Sequence, residues 1–171
     1  MKTKKLVLSA LFIALHVVLC FLNLNLGNMV ITFSGLPCVI GGLLFGPFFG
    51  FEVGLIGSFL NQLLTYGLTP TTILWILPAG IKGLMVGFYA KRKDFRLAPK
   101  EMIFILILSA FVVTTMNTAV MYIDSKIYGY YSFAYVFGAI LPRYITGIIT
   151  SIIYTFVAPV LVKHLRSAIQ K

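Results

Sequence analysis

Long apolar runs, separated by short polar or turn-prone segments, constrain this chain more than any motif does. A bilayer core about 30 Å thick is crossed by roughly 20 apolar residues in a helix. Six runs approach that demand, at about 5–22, 36–45, 50–66, 72–90, 101–123 and 132–162 of the 171 residues. Hydrophobic residues make up 60% of the chain and charged ones 11%, against roughly 25% charged in a soluble domain. The mean hydropathy is +1.00. So few polar groups do not cover a water-exposed surface of this size, which excludes a soluble enzyme, a nucleic-acid-binding module and a disordered protein. The expectation is an all-α integral membrane protein, a six-helix transmembrane bundle forming a single membrane domain over residues 1–171.

Punctuation within the runs refines this. Lys2, Lys4 and Lys5 open a first helix that is retained rather than cleaved, because a small-residue cleavage pattern is missing. A turn-prone patch, Asn23 to Asn28, precedes the alternating stretch Met29 to Ser34, which is too short to span and reads as an extended segment lying against the bundle in the first outer loop. Gly46-Pro47 divides the next apolar region into two helices, the first shorter than a full crossing, since a helix through Pro47 loses a hydrogen bond and clashes one turn back. Thr69 is expected to cap the fourth helix, with Pro70 at its first position. The long sixth run is interrupted by Pro142.

Charge placement fixes sidedness. The formal net charge is +10, and most of the 14 basic residues fall in three clusters: Lys2, Lys4 and Lys5; Lys91, Arg92, Lys93, Arg96 and Lys100; Lys163, Arg166 and Lys171. The positive-inside rule puts all three in the cytoplasm together with both termini. Four spans then lie between the first two clusters and two between the last two, both even, as that sidedness requires.

Several features bear on function. Ala10 and Ala14 share one face of the first helix and let another helix approach closely, either within the chain or from a partner. Gly50 and Gly54 imply tight packing of a short-helix pair rather than a wide pore. Glu52, Lys82 and Arg143 are charges within apolar runs, each costing at least about 2.5 kcal/mol at mid-depth. Glu52 reads as interfacial. Lys82 either pairs with Glu52, snorkels or meets a ligand. Arg143 either clamps a loop through backbone carbonyls or faces an anionic ligand. Asn61, Gln62, Tyr66, Trp75, Asn117, Tyr122, Tyr128, Tyr130 and Tyr131 gather on the outer half. Aromatics alone suit an interfacial belt, but amides in apolar helices need partners, and apolar walls with a few placed polar groups describe a small-molecule pocket. Cys20 and Cys38 read as small buried hydrophobes, and neither a metal site nor a cofactor is implied.

Two other classes fit less well. An intramembrane serine protease needs a base in reach of its nucleophile, and His16 and His164 are expected away from the side carrying Ser34. There is no HExxH and no Walker sequence. A channel needs an oligomer with a ring of polar groups, which the amide–aromatic cluster suits less well than binding.

The chain also resembles a known family. Ala10-Leu11-Phe12-Ile13-Ala14, Gly42-Leu43-Leu44-Phe45-Gly46-Pro47 followed by Gly50 and Gly54, Tyr66 to Thr71, Asn117-Thr118, Tyr128-Gly129 and Leu141-Pro142-Arg143 stand in the order and spacing of substrate-binding S components of energy-coupling factor (ECF) vitamin transporters, most similar to the folate-type branch. The resemblance implies a non-enzymatic subunit in a prokaryotic cell membrane that captures a vitamin at its outer face. Folate or a related pterin comes first, and pantothenate or a pyrimidine or pyridine vitamin precursor second. It implies docking through Ala10 and Ala14 on a transmembrane coupling protein, with two cytoplasmic ATPases driving the cycle. The pocket is expected to involve Asn61, Tyr66, Trp75, Asn117, Tyr122, Tyr131 and Arg143, with aromatics stacking on a flat ring, amides reading its edge and Arg143 facing a carboxylate.

Overall fold

In hydrocarbon every backbone N–H and C=O must find a partner inside the protein, and a helix meets that demand within one segment. The computed structural model of the chain describes residues 2–26 and 29–169. It is a helical bundle of α1 (Lys2–Phe21), α2 (Gly35–Phe45), α3 (Pro47–Tyr66), α4 (Thr72–Arg92), α5 (Pro99–Ile127), α6 (Phe133–Phe137) and α7 (Ile140–Ile169). Helices α1, α3, α4 and α5 and the α6–α7 unit are long and apolar enough to cross a membrane. The sixth, α2, has 11 residues and falls short of a full crossing, as expected.

The boundaries show which local rules dominate. Between α2 and α3 the chain turns at Gly46, whose φ of 95° favours glycine, and α3 then starts with Pro47 at its first position rather than at residue 50. Helix α4 corrects an expectation: Thr71, not Thr69, sits at the cap position, and Thr69 and Pro70 form the preceding turn, in which the Thr72 N–H donates to the Thr69 carbonyl at 3.0 Å. The sixth run breaks at Gly138–Ala139, upstream of Pro142. The physical reason lies one turn back, because Pro142 has no N–H to offer the Gly138 carbonyl and its ring crowds that oxygen.

The extended segment is a hairpin. Strands β1 (Asn23–Leu26) and β2 (Met29–Thr32) pair antiparallel, with Asn23 opposite Thr32 and Leu26 opposite Met29. The patch read as a turn thus supplies a strand; Gly27 and Asn28 lie outside the described residues. The segment packs on α7, where the Tyr154 hydroxyl donates to the Thr32 carbonyl at 3.4 Å and Phe33 lies beside the Tyr154 ring.

The bundle divides into two halves. Helices α3 and α4 touch backbone to backbone: a Cβ added to Gly50 would fall 2.6 Å from the Gly83 carbonyl oxygen. Toward one end Leu43, Val86, Ala90, Leu106 and Ala158 fill the interior. This end gathers the basic clusters, with Lys5 beside Phe48 and Glu52, and Arg96 beside Lys163 and Arg166; Lys171 lies outside the described residues. The opposite, aromatic end is hollow.

Candidate functional site

In the aromatic half, the ends of α1, α3 and α5, the starts of α4 and α7, and the hairpin surround a cavity of about 320 Å³. Helix α3 contributes Asn61, α4 contributes Trp75 and Lys82, α5 contributes Asn117, and α7 contributes Thr146, Thr150 and Tyr154. Among the described residues neither asparagine side chain has a hydrogen-bond partner. The threonine hydroxyls are donors already in use: Thr146 donates to the Pro142 carbonyl and Thr150 to the Thr146 carbonyl, each at 2.8 Å. They therefore offer the cavity acceptor lone pairs, while the amides and Lys82 supply donors.

Lys82 is the charge in this wall. It does not pair with Glu52, which accepts a 2.9 Å bond from the Ser9 hydroxyl in the basic half. The ammonium instead lies 5.0 Å from the centroid of the Tyr154 ring. Its other neighbour is the start of α2, where the absence of a side chain at Gly35 leaves it room, since a Cβ there would come 3.0 Å from Nζ. A helix N-terminus carries partial positive charge, so among the described residues this cation is short of acceptors.

His16 departs from expectation. It lines the same cavity as Ser34, because α1 turns this face inward. Its ring nitrogens stand 3.2 Å from the Ser58 hydroxyl and 3.2 Å from the Cys38 thiol, with donor roles set by the tautomer. Among the described residues no carboxylate lines the cavity to orient the ring, and the contacts join α1 to α2 and α3. Among the described residues no group of three or more His, Cys, Asp and Glu could hold a metal ion.

A second cavity of about 370 Å³ opens further toward the aromatic end, lined by Gln62, Tyr66, Tyr128, Tyr130 and Tyr135 around Asp124, and it shares Trp75 with the first. Asp124 is a buried hub. It accepts a 2.5 Å bond from the Thr71 hydroxyl, a 3.2 Å bond from the Trp75 indole N–H, and a bond from the Tyr130 hydroxyl. The Tyr130 phenol is held above its ordinary range, first by this hydrogen bond and then by partial burial. One carboxylate thus ties the turn before α4 and the loop after α5 to the wall of the inner cavity.

Of the seven residues expected at the site, Asn61, Trp75 and Asn117 line the inner cavity, and Tyr66 lines the outer one. Tyr122 and Tyr131 pair edge to face at 5.4 Å beneath Lys126, whose Nζ lies 4.1 Å from the Tyr131 centroid; they line neither cavity. Arg143 donates to the Val136 carbonyl at 3.2 Å and clamps α6 onto α7, one of the two roles open to it. Sequence reasoning missed Asp124, although it is the one acidic residue of four outside the basic half of the chain. It also missed Thr146, Thr150 and Tyr154, which carry no signal beyond their place on an apolar helix.

A family model described as ECF-type riboflavin transporter, S component, matches residues 1–167. A UPF0397 protein of Streptococcus thermophilus is 33% identical over 87 residues, covering 50% of this chain and 45% of that protein. One of Lactobacillus johnsonii is 41% identical over 51 residues, 30% of this chain and 26% of the other. The chain spans about half the length, or less, of the curated relatives it matches. Among solved structures, the S component of a bacterial ECF transporter superposes with a TM-score of 0.68 at 20% identity, covering 100% of both chains. FolT bound with folic acid gives 0.67 at 24%, covering 95% of this chain and 96% of that one. Both likenesses establish the fold.

Proposed function

The chain belongs to the family of ECF-type riboflavin transporter S components, and on that footing we propose that it is the membrane-embedded substrate-binding subunit of an ATP-driven vitamin importer. It is a transport subunit rather than an enzyme. The observation that carries the reading is the hollow aromatic half, where Asn61, Asn117 and Lys82 face one cavity beside Trp75 and, among the described residues, their donors have no hydrogen-bond acceptor. A ligand with a flat ring to lie against the indole and carbonyl oxygens along one edge satisfies those donors, and the threonine lone pairs accept from its ring N–H. A flavin has that edge, with two carbonyls flanking an N–H, so riboflavin takes first place. Folate, suggested by the resemblance in sequence, stands second, favoured by Lys82 as a counter-ion for a carboxylate.

By the positive-inside rule the basic end lies in the cytoplasm of the cell and the aromatic end outside. Ala10 and Ala14 are on the exposed face of α1, opposite buried Phe12 and His16, which supports docking of that face on a transmembrane coupling protein served by two cytoplasmic ATPases. Mass spectrometry of small molecules retained by the detergent-purified protein tests the ligand. A flavin is the expected result, and a pterin moves the second reading to first. A preparation that is empty and shows no thermal shift with any vitamin overturns the proposal.

A further inference from the structure

At the basic end, far from the vitamin cavity, the α4–α5 loop and the last turns of α7 border an open cleft of about 370 Å³. Its floor is apolar, with Leu43, Met102 and Val162, and its rim carries Arg96, Lys163 and Arg166. Among the described residues no carboxylate lines it. The one ion pair among the described residues, Lys93 with Glu101 at 2.7 Å, lies in the adjoining loop and leaves these three cations without an acidic partner.

The loop is bent in an unusual way to make this rim. Asp94 and Phe95 both adopt left-handed conformations, with φ of 49° and 58°, uncommon for non-glycine residues and strained for a bulky one. The Phe95 N–H returns to the Ala90 carbonyl at 2.8 Å. The Phe95 and Leu97 side chains pack on the core, so Arg96, between them, joins the cations of α7 at the cleft.

Three like charges around one small space repel one another unless an anion sits among them. The site lies where membrane-spanning helices end, at the depth of lipid headgroups, and basic pockets at the cytoplasmic face bind anionic headgroups. We propose that this cleft binds an anionic phospholipid, its phosphate held by Arg96, Lys163 and Arg166 and an acyl chain laid on the Leu43–Met102–Val162 floor. The inference does not depend on which vitamin the other cavity takes.

Native mass spectrometry of the purified full chain titrated with phosphatidylglycerol tests it, with phosphatidylcholine and inorganic phosphate as separate arms. The expected result is phosphatidylglycerol retained under activation that strips phosphatidylcholine. With each surface cation worth about fivefold, the triple variant R96A/K163A/R166A weakens retention on the order of 100-fold. The control K91A/K100A, removing charges on the helix ends that flank this loop and do not line the cleft, leaves retention within about twofold. Vitamin binding by both variants, measured in parallel, reports that they are folded. Equal losses in the two variants would show a diffuse charge effect and overturn the site. Displacement of the lipid by phosphate at equal concentration would overturn the role of the apolar floor and with it the lipid as occupant.

Discussion

Asp124→Ala is the substitution that most sharply separates a functional hub from surface decoration. In the wild type three donors converge on this carboxylate. Thr71 is 1% exposed, whereas Tyr130 is 45% exposed, so removal strands the threonine hydroxyl while water takes over the tyrosine. A buried unpaired hydroxyl costs about 1–3 kcal/mol, partly relieved here because Thr69 Oγ1 lies 3.3 Å from Thr71 Oγ1. The net expectation is about 2 kcal/mol, which for a chain of this size lowers the unfolding midpoint by about 4–8 °C. The indole also loses the bond that fixes its plane, and vitamin affinity falls about tenfold, equivalent to 1.4 kcal/mol. Trp75 is the single tryptophan of the chain, so its emission reports both unfolding and ligand quenching without a label. Asp124→Asn, which keeps an acceptor, shows the smaller effect in both. If Asp124→Ala unfolds within about 1 °C of the wild type and binds within twofold of it, the carboxylate positions nothing and the reasoning is refuted.

Other outcomes follow from the same geometry. Lys82→Met removes a charged donor worth about 1.5–3 kcal/mol; a titration of the purified variant is expected to show binding weakened 10- to 100-fold with its unfolding midpoint unchanged. Ala10→Trp and Ala14→Trp leave vitamin binding by the isolated chain intact but abolish uptake in cells, and normal uptake by both would remove the docking face. A side chain at Gly83 meets the Gly50 backbone, so Gly83→Val yields no folded protein on size-exclusion chromatography. Gly67→Ala, with open space around it and only its φ of 73° against it, costs about 1–3 kcal/mol and folds. Because Tyr130 titrates above its usual value near 10, the clasp it makes with Asp124 is intact below that pH and is lost as pH rises through the raised value. Tyrosinate absorbance in Asp124→Ala is expected to appear at lower pH.

What the sequence made legible was whatever local rules control. Apolar length, proline and basic clusters gave the spans, the Gly46-Pro47 break and the gathering of charge at one end, because each depends on the segment itself or on the membrane it meets. The fourth cap moved from Thr69 to Thr71 because two threonines of equal capping chemistry stand two residues apart, and only the path from α3 into α4 chooses between them. The break in the last run lies at Gly138–Ala139 rather than at Pro142, because proline acts on the carbonyl four residues earlier. Asn61, Trp75 and Asn117 reached one cavity because polar groups on apolar helices are rare and tend to converge. Tyr122 and Arg143 share that chemistry but turn toward Tyr131 and toward α6 instead; Tyr131 itself lies in the connection between α5 and α6, and helical phase near a helix end is not written in residue type. Asp124 stayed hidden because its role is relational: a turn 53 residues earlier in the chain supplies one of its donors.

The central claim is that this chain alone holds one vitamin molecule in its aromatic half, leaving energy supply to other polypeptides. Titrating the purified chain with riboflavin, and then with folate, while following Trp75 emission tests it most directly. Saturable quenching by one of the two at one ligand per chain, weakened in Lys82→Met, is the predicted result. No quenching by either vitamin, or quenching that never saturates and is indifferent to Lys82, would contradict it.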